Sequence, residues 1–216
     1  MSRTLRTLAA LLTYPESDLV AALPEINQHI GSAARLKKPS REALQTLTAY
    51  LACGDLLDLQ ERYVAQFDSG RATSLHLFEH VHGDSRDRGQ AMVDLRAMYV
   101  RAGLQMTPHE LPDYLPAMLE YLSLRERAEM LEMLGDCTHI LRSVGERLRD
   151  CGSPYQAIFA ALLDLAGEAG FNKAKAILPV EKPLDEEWAE EPAFGAPPGA
   201  CNTAAAQSVI HFMPKA

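Results

Sequence analysis

Three histidines and one glutamate occur within seven residues of the sequence, and side chains of these types can bind transition metals. They are His76, Glu79, His80 and His82. On a helix His76 and His80 would lie one turn apart, so that their imidazoles could share a metal ion. A zinc site needs a third ligand, however, and the order of the residues is not that of a His-Glu-x-x-His hydrolase. We therefore expect structural or peptide-contacting histidines, with a metal carrier or an enzyme as the alternative.

Residues 110–116, Glu-Leu-Pro-Asp-Tyr-Leu-Pro, combine two carboxylates with two prolines. Because proline lacks an N–H group and restricts φ, the chain should pass through this segment irregularly before the next helix. An irregular helix start of this kind can leave a groove, with Glu110 and Asp113 at its rim. Such a groove would suit a helix of a partner protein that carries Lys or Arg. A loop that only turns the chain explains this segment equally well.

The remaining motifs predict neither an active site nor a resident cofactor. Residues 84–89 mix acidic and basic side chains and suit helix capping, although Arg86 could bind a carboxylate or a phosphate. The sequence has no Walker motif, dinucleotide-binding glycine pattern or Gly-x-Ser-x-Gly elbow. Its cysteines are widely spaced without a Cys-x-x-Cys pair, and we interpret them as reduced thiols. They are Cys53, Cys137, Cys151 and Cys201.

Helices must position these groups, because apolar residues recur at helical spacing almost everywhere before residue 170. Strand-type alternation and Asn-Gly or Asp-Gly hairpin turns are lacking, so we predict an all-α fold built as a single-domain helical bundle. Ser40 is the predicted N-cap of the third helix, and Thr107 followed by proline predicts another helix start. The apolar stripes that predict helices span residues 5–12, 44–51, 56–67, 92–102, 115–122, 137–148 and 155–162, and a further helix should begin near Asp18.

The composition changes after about residue 180, where prolines accompany many acidic residues and apolar periodicity fades. Such a segment cannot bury enough apolar surface to offset the entropy lost on ordering. We therefore predict an all-helical domain at residues 1–180 and a disordered, acidic, Pro-rich tail at residues 181–216.

The charge of the chain restricts the classes of partner. The formal net charge is −8, and no long run of Lys or Arg occurs among the 216 residues. Nucleic acids and anionic membranes are therefore unfavourable partners, and another protein is expected instead. No apolar stretch approaches the roughly 20 residues that cross a bilayer, and the first residues do not resemble a secretory signal, so we expect a cytoplasmic protein.

Three segments are distinctive as sequences: residues 63–67 (Tyr-Val-Ala-Gln-Phe), residues 74–95, which include the histidine cluster, and residues 110–116. Together they closely resemble the delta-type assembly chaperones of respiratory membrane-bound nitrate reductase. The resemblance extends over about residues 1–175 and leaves the tail out.

That resemblance implies an all-helical chaperone dedicated to molybdenum enzymes, without a cofactor of its own. It would bind the apo catalytic (alpha) subunit of the reductase through that subunit's N-terminal peptide and through a second surface. Membrane attachment would be delayed while the molybdenum cofactor and iron–sulfur clusters are inserted, with help from proteins of molybdenum cofactor biosynthesis. The chaperone would not remain in the finished enzyme; a permanent structural subunit is the alternative.

In related chaperones of exported reductases, the acidic, proline-containing motif contacts a twin-arginine leader, and Tyr114 stands where those relatives often have histidine. We expect apolar and aromatic residues to determine how long the peptide stays bound. The charges at the rim should mainly affect the rate at which it associates. The candidate peptide-binding residues are Tyr63, Phe67, His76, Phe78, Glu79, His80, Arg86, Glu110, Pro112, Asp113 and Tyr114.

Overall fold

The computed structural model describes residues 2–81, 86–107 and 110–171, and the α-helices within these ranges confirm the predicted all-α fold. Two 3-10 turns, Arg71–Thr73 and Leu77–His80, follow the fourth helix. The predicted boundary at residue 180 and the predicted tail lie outside the described residues. The helices are α1 (Ser2–Leu11), α2 (Ser17–Ser32), α3 (Lys38–Cys53), α4 (Leu56–Phe67), α5 (Arg86–Arg101), α6 (Leu115–Ser123), α7 (Arg127–Asp136), α8 (Thr138–Asp150) and α9 (Gln156–Ala166).

Helix α9 lies at the centre of the bundle and packs against α3, α7 and α8. Its sequence is apolar on nearly every side, as expected for a helix surrounded by protein, and Phe159 and Leu162 are almost completely buried. Helix α1 packs against α6 and α2 through Leu5 and Leu8, which have no exposed surface. None of the described helices is both long and apolar enough to cross a membrane.

The start of α3 differs from the prediction that Ser40 is its N-cap. The helix begins at Lys38, and the Lys37 backbone N–H donates to Asp164 Oδ2 of α9 at 3.2 Å. The Ser40 hydroxyl donates to the same oxygen at 2.6 Å, while the Lys37 ammonium lies 2.6 Å from Asp164 Oδ1. The residue before the helix is Lys37, and the Asp164 carboxylate ties both it and the Ser40 side chain to α9.

Helix α4 positions two of the candidate aromatic residues. Asp55 caps its first turn, because the carboxylate accepts hydrogen bonds from the backbone N–H groups of Leu57 at 3.0 Å and Asp58 at 3.4 Å. Tyr63 and Phe67 follow at a spacing of four residues on the buried face. The end of α4 therefore presents two rings in contact to the interior, with their planes tilted by 55°.

The helix start predicted at Thr107 is wrong, because the next helix begins at Leu115. Thr107 has no helical conformation, and residues 110–114 form a turn and a single β-bridge residue. Proline disfavours helical geometry at the residue before it, and the backbone here bonds to another segment instead of to itself. Helix α7 has no counterpart among the predicted helices; it buries only Met130 and Leu134.

Candidate functional site: a tyrosine-lined hollow

The segments around residues 76 and 114 are joined through their backbones. The Leu77 N–H donates to the Asp113 carbonyl at 3.0 Å, and the Leu115 N–H donates to the Leu75 carbonyl at 2.9 Å. His76 and Tyr114 face each other across this short antiparallel bridge, with ring centroids 5.5 Å apart. Two of the three distinctive sequence segments therefore form one structural unit.

The buried side chain of Asp113 links the two segments of this unit. Its side chain has no exposed surface; Oδ1 lies 3.2 Å from His76 Nδ1, and Oδ2 accepts from the Phe78 N–H at 3.2 Å. The prediction that Asp113 lies on the rim of a groove is therefore wrong. A buried carboxylate requires partners for its oxygens, and the backbone and the imidazole of the neighbouring segment supply them.

Other candidate residues hold the same unit against the bundle. His80 Nε2 donates to the Ser74 carbonyl at 2.9 Å. The Glu79 carboxylate pairs with Arg88 of α5 at 3.5 Å, and the Tyr99 hydroxyl donates to the Pro112 carbonyl at 2.9 Å. These contacts connect the 3-10 turn and the proline-containing segment to α5.

A hollow of about 210 Å³ opens beside this unit. Its aromatic walls are in mutual contact: the rings of Tyr14 and Tyr63 meet edge to face at 5.6 Å, and those of Tyr63 and Phe67 lie 4.8 Å apart. Tyr63 and Phe67 are buried, whereas Tyr14 is 42% exposed and stands at the mouth. The lining residues are Tyr14, Tyr63, Phe67, Asp68, Leu75, His76 and Tyr114.

The tyrosine hydroxyls have a defined donor order. Tyr63 donates its single hydroxyl proton to the Leu12 carbonyl at 2.7 Å. The 3.3 Å hydrogen bond between the hydroxyls of Tyr63 and Tyr114 must therefore have Tyr114 as the donor. Burial raises the pKa of Tyr63, so its hydroxyl stays protonated and the order is maintained.

Two carboxylates make the surroundings of the hollow negative. Asp68 is exposed and lines the hollow, and Glu110 is exposed on the segment that leads to Tyr114. The pKa of the Tyr114 hydroxyl is raised, chiefly by burial and also by the charges of Glu110 and Asp68, against an opposing effect of the hydrogen bond with Tyr63. Both carboxylates are therefore close enough to act on this hydroxyl.

The pKa of His76 is raised from its ordinary value of 6.5, chiefly by the hydrogen bond to Asp113, against an opposing effect of burial. His76 does not form a helical turn with His80, because it precedes the 3-10 turn in an extended conformation. Within the described ranges no group of three His, Cys, Asp or Glu side chains is placed to hold a metal ion. His82 lies outside those ranges.

The structure thus brings some candidate residues together and separates others. Tyr63, Phe67, His76 and Tyr114 line the hollow. Glu79, His80, Pro112 and Asp113, with the backbone of Phe78, support it from behind, and Glu110 lies nearby. Arg86 begins α5, but its side chain is outside what the structure describes.

Three lining residues were not among the sequence candidates: Tyr14, Asp68 and Leu75. Tyr14 follows the end of α1 and Asp68 directly follows the last residue of α4, so both lie outside the apolar stripes that predict the helices. The available signal for Tyr14 in the sequence was a large aromatic residue just beyond the apolar stripe at residues 5–12.

Comparisons with known proteins agree with this architecture. A family model described as nitrate reductase delta subunit matches residues 33–161. The nitrate reductase molybdenum cofactor assembly chaperone NarJ of Escherichia coli (strain K12) is 46% identical over 159 residues, which are 74% of this chain and 67% of NarJ. The probable chaperone NarW of the same strain, named for the same assembly, is 44% identical over 165 residues, 76% of this chain and 68% of NarW.

A solved structure also resembles the bundle. The crystal structure of a proposed redox enzyme maturation protein from Archaeoglobus fulgidus matches with a TM-score of 0.58 and 19% identity, over 78% of this chain and 94% of that one. At this identity the likeness concerns the fold alone.

Proposed function

The chain belongs to the nitrate reductase delta subunit family, and from this premise we propose that it is an assembly chaperone for a respiratory nitrate reductase and not an enzyme. Its relatives NarJ and NarW are named for molybdenum cofactor assembly of nitrate reductase. The partner is the apo catalytic subunit, bound in the cytoplasm while its molybdenum cofactor and iron–sulfur clusters are inserted and before it attaches to the membrane. The chaperone then leaves.

The hollow is the observation that carries this proposal. All three distinctive segments contribute to it: Tyr63 and Phe67 from the first, His76 from the second and Tyr114 from the third. A hollow walled by aromatic rings and bordered by carboxylates suits side chains of a basic amphipathic segment of another protein. We assign it to the N-terminal segment of the catalytic subunit, which lies over the hollow as a helix.

A pull-down from cells that make the reductase but lack molybdenum cofactor tests this proposal. The chaperone should accumulate on the apo catalytic subunit, and Tyr114→Ala should reduce the recovered subunit. Val93→Ala is the matched control, since Val93 is 61% exposed on α5 and does not line the hollow. Stable recovery with the mature membrane complex would instead identify a structural subunit, and tightly held stoichiometric metal would identify a carrier.

Calorimetry with a synthetic peptide of that N-terminal segment tests the surface itself. Truncating a well-packed anchor commonly costs about 2 kcal/mol, or roughly 30-fold in affinity, so Tyr114→Ala should weaken binding at any ionic strength. Asp68→Asn combined with Glu110→Gln should weaken it mainly at low salt, because exposed charges are screened. Asp113 is not suited to this second variant, because its carboxylate is buried. Unchanged affinity in both variants, with folding verified by circular dichroism, would place the peptide elsewhere.

A further inference from the structure

Helix α5 carries an apolar stripe on its outer side. Val93 and Val100 are 61% and 60% exposed, and Ala97 between them is exposed as well. Positions three and four residues apart share one side of a helix, so these three side chains form a continuous stripe. Single apolar side chains are ordinary on a protein surface, but a stripe at helical spacing is typical of a helix that packs against another helix.

The bundle holds α5 from its opposite side. Among the described side chains of this helix, at residues 88–101, only Tyr99 is buried. Its hydroxyl donates to the Pro112 carbonyl at 2.9 Å, and its ring lies 5.1 Å from the ring of Tyr121. This anchor faces away from the stripe, so the packing of the bundle does not account for apolar side chains at positions 93 and 100.

Charged residues flank the stripe on both edges. Asp94 and Arg101 lie along one edge, seven residues apart, and Arg96 lies along the other. Asp94 Oδ1 accepts from Gln90 Nε2 at 2.9 Å, and Arg101 Nε donates to the Ala97 carbonyl at 3.2 Å. Neither Asp94 nor Arg101 forms an ion pair with another described residue, so Asp94 Oδ2 and the terminal nitrogens of Arg101 can bind a partner.

The charges match a second copy of the same helix in one arrangement only. When two helices pack, the residues that flank their apolar stripes meet across the interface. A parallel pair would place Arg96 beside Arg101 of the second copy, and one antiparallel register would place Asp94 opposite Asp94. The other antiparallel register, with Ala97 beside Val100 of the second copy, places Asp94 opposite Arg101. Two-fold symmetry makes this attractive contact twice.

We propose that α5 is a self-association surface, through which two copies of the chain pair antiparallel with Asp94 of each copy against Arg101 of the other. The stripe is separate from the hollow, so this inference does not depend on the proposed function. A helix of 16 residues is about 24 Å long, and one pair of such helices covers less than the roughly 1,200 Å² of a stable interface. We therefore expect a weak, reversible dimer, with a Kd on the order of 100 µM.

Sedimentation equilibrium of the full chain, at concentrations from about 10 µM to about 1 mM, tests the association. The mean mass should rise towards that of a dimer as the concentration increases. Val100→Glu should abolish the rise, because it places a charge in the apolar contact. Leu57→Glu is the matched control, since Leu57 is 74% exposed on α4, and it should leave the rise unchanged. A chain that stays monomeric, or equal effects of the two variants, overturns the proposal.

Charge reversal tests the register. Asp94→Arg alone, or Arg101→Asp alone, turns two attractive contacts into repulsive ones and should weaken the dimer by about tenfold. The two changes together restore opposite charges and should return the Kd to within about threefold. An equimolar mixture of the two single variants should associate more tightly than either variant alone. Circular dichroism verifies that each variant is folded, and a double variant as weak as the single ones overturns the antiparallel pairing.

The pull-down of the catalytic subunit distinguishes the second copy from another occupant of the stripe. Val100→Glu should leave the recovery of that subunit unchanged, because the hollow is intact. A monomeric chain in which Val100→Glu lowers the recovery would assign the stripe to a helix of the partner protein. That result overturns self-association and leaves the proposed chaperone function in place.

Discussion

Replacing Asp113 by alanine should remove the link between the two segments that form the hollow. Its carboxylate accepts one hydrogen bond from His76 Nδ1 and one from the Phe78 N–H, each at 3.2 Å, and it has no exposed surface. Hydrogen bonds to a charged group contribute about 1.5–3 kcal/mol each, and a buried N–H left without a partner costs about 1–3 kcal/mol. We expect Asp113→Ala to lower the free energy of unfolding by about 3–5 kcal/mol, the range for breaking a buried pair.

Urea denaturation followed by circular dichroism measures this change. At roughly 2–4 °C per kcal/mol for a chain of this size, the melting temperature should fall by about 10 °C. The Asp113→Asn variant keeps the shape of the side chain and one hydrogen-bond acceptor, so it should lower the free energy of unfolding by less than Asp113→Ala. Glu110→Ala lies in the same segment but is exposed, and should change stability by no more than about 0.5 kcal/mol.

A double-mutant cycle with His76→Ala isolates the contact between His76 and Asp113. Removing His76 alone leaves a buried carboxylate short of a partner, so the two changes should be strongly non-additive, with a coupling of about 1–3 kcal/mol. A loss below about 1 kcal/mol for Asp113→Ala, or additive effects in the cycle, would refute the reasoning that this carboxylate holds the two segments together.

Three further outcomes are expected. The pKa of His76 is raised by its hydrogen bond to Asp113, so this interaction should stabilise the fold fully below pH 6.5 and less and less as the pH rises through the folded-state pKa. Urea titrations at several pH values should show this loss of stability, and the His76→Gln variant should not show it. Gly145→Val should destabilise the chain by about 1–3 kcal/mol in thermal melts, because an added Cβ would lie 2.8 Å from Phe159 Cβ. Gly135→Ala should not destabilise the chain, because the space around Gly135 is open. Removing residues 181–216 should leave the helical circular dichroism spectrum and the melting temperature nearly unchanged.

The sequence predicted those features that depend on local periodicity. The spacing of Leu56, Leu59, Tyr63 and Phe67 predicted a helix with an inward aromatic face, and α4 buries the last three of these side chains. The same holds for α9, whose apolar positions place Ile158, with no exposed surface, in the core. A helical repeat of 3.6 residues is sufficient to assign a buried face, because the neighbours concerned lie within a few positions.

Features that depend on distant partners could not be predicted in this way. Asp113 looked like an exposed carboxylate beside prolines, yet its partners His76 and Phe78 lie 37 and 35 residues earlier. Ser40 was expected to cap α3, yet its hydroxyl donates to Asp164, which lies 124 residues away. No local pattern reports which distant segment will satisfy a polar group, although each buried group must be satisfied.

The buried contacts of Asp113 should also affect how tightly the hollow binds the peptide. The walls carried by His76 and Tyr114 belong to two short segments with few helical hydrogen bonds of their own, and the backbone bridge and the buried carboxylate hold them in place. A surface ordered before the partner arrives spares binding the cost of ordering it, which is about 0.5–1.5 kcal/mol for each immobilised side chain. Asp113→Asn should therefore weaken binding of the peptide, although Asp113 does not line the hollow. Unchanged affinity in a folded Asp113→Asn variant would refute the idea that this carboxylate orders the two segments for binding.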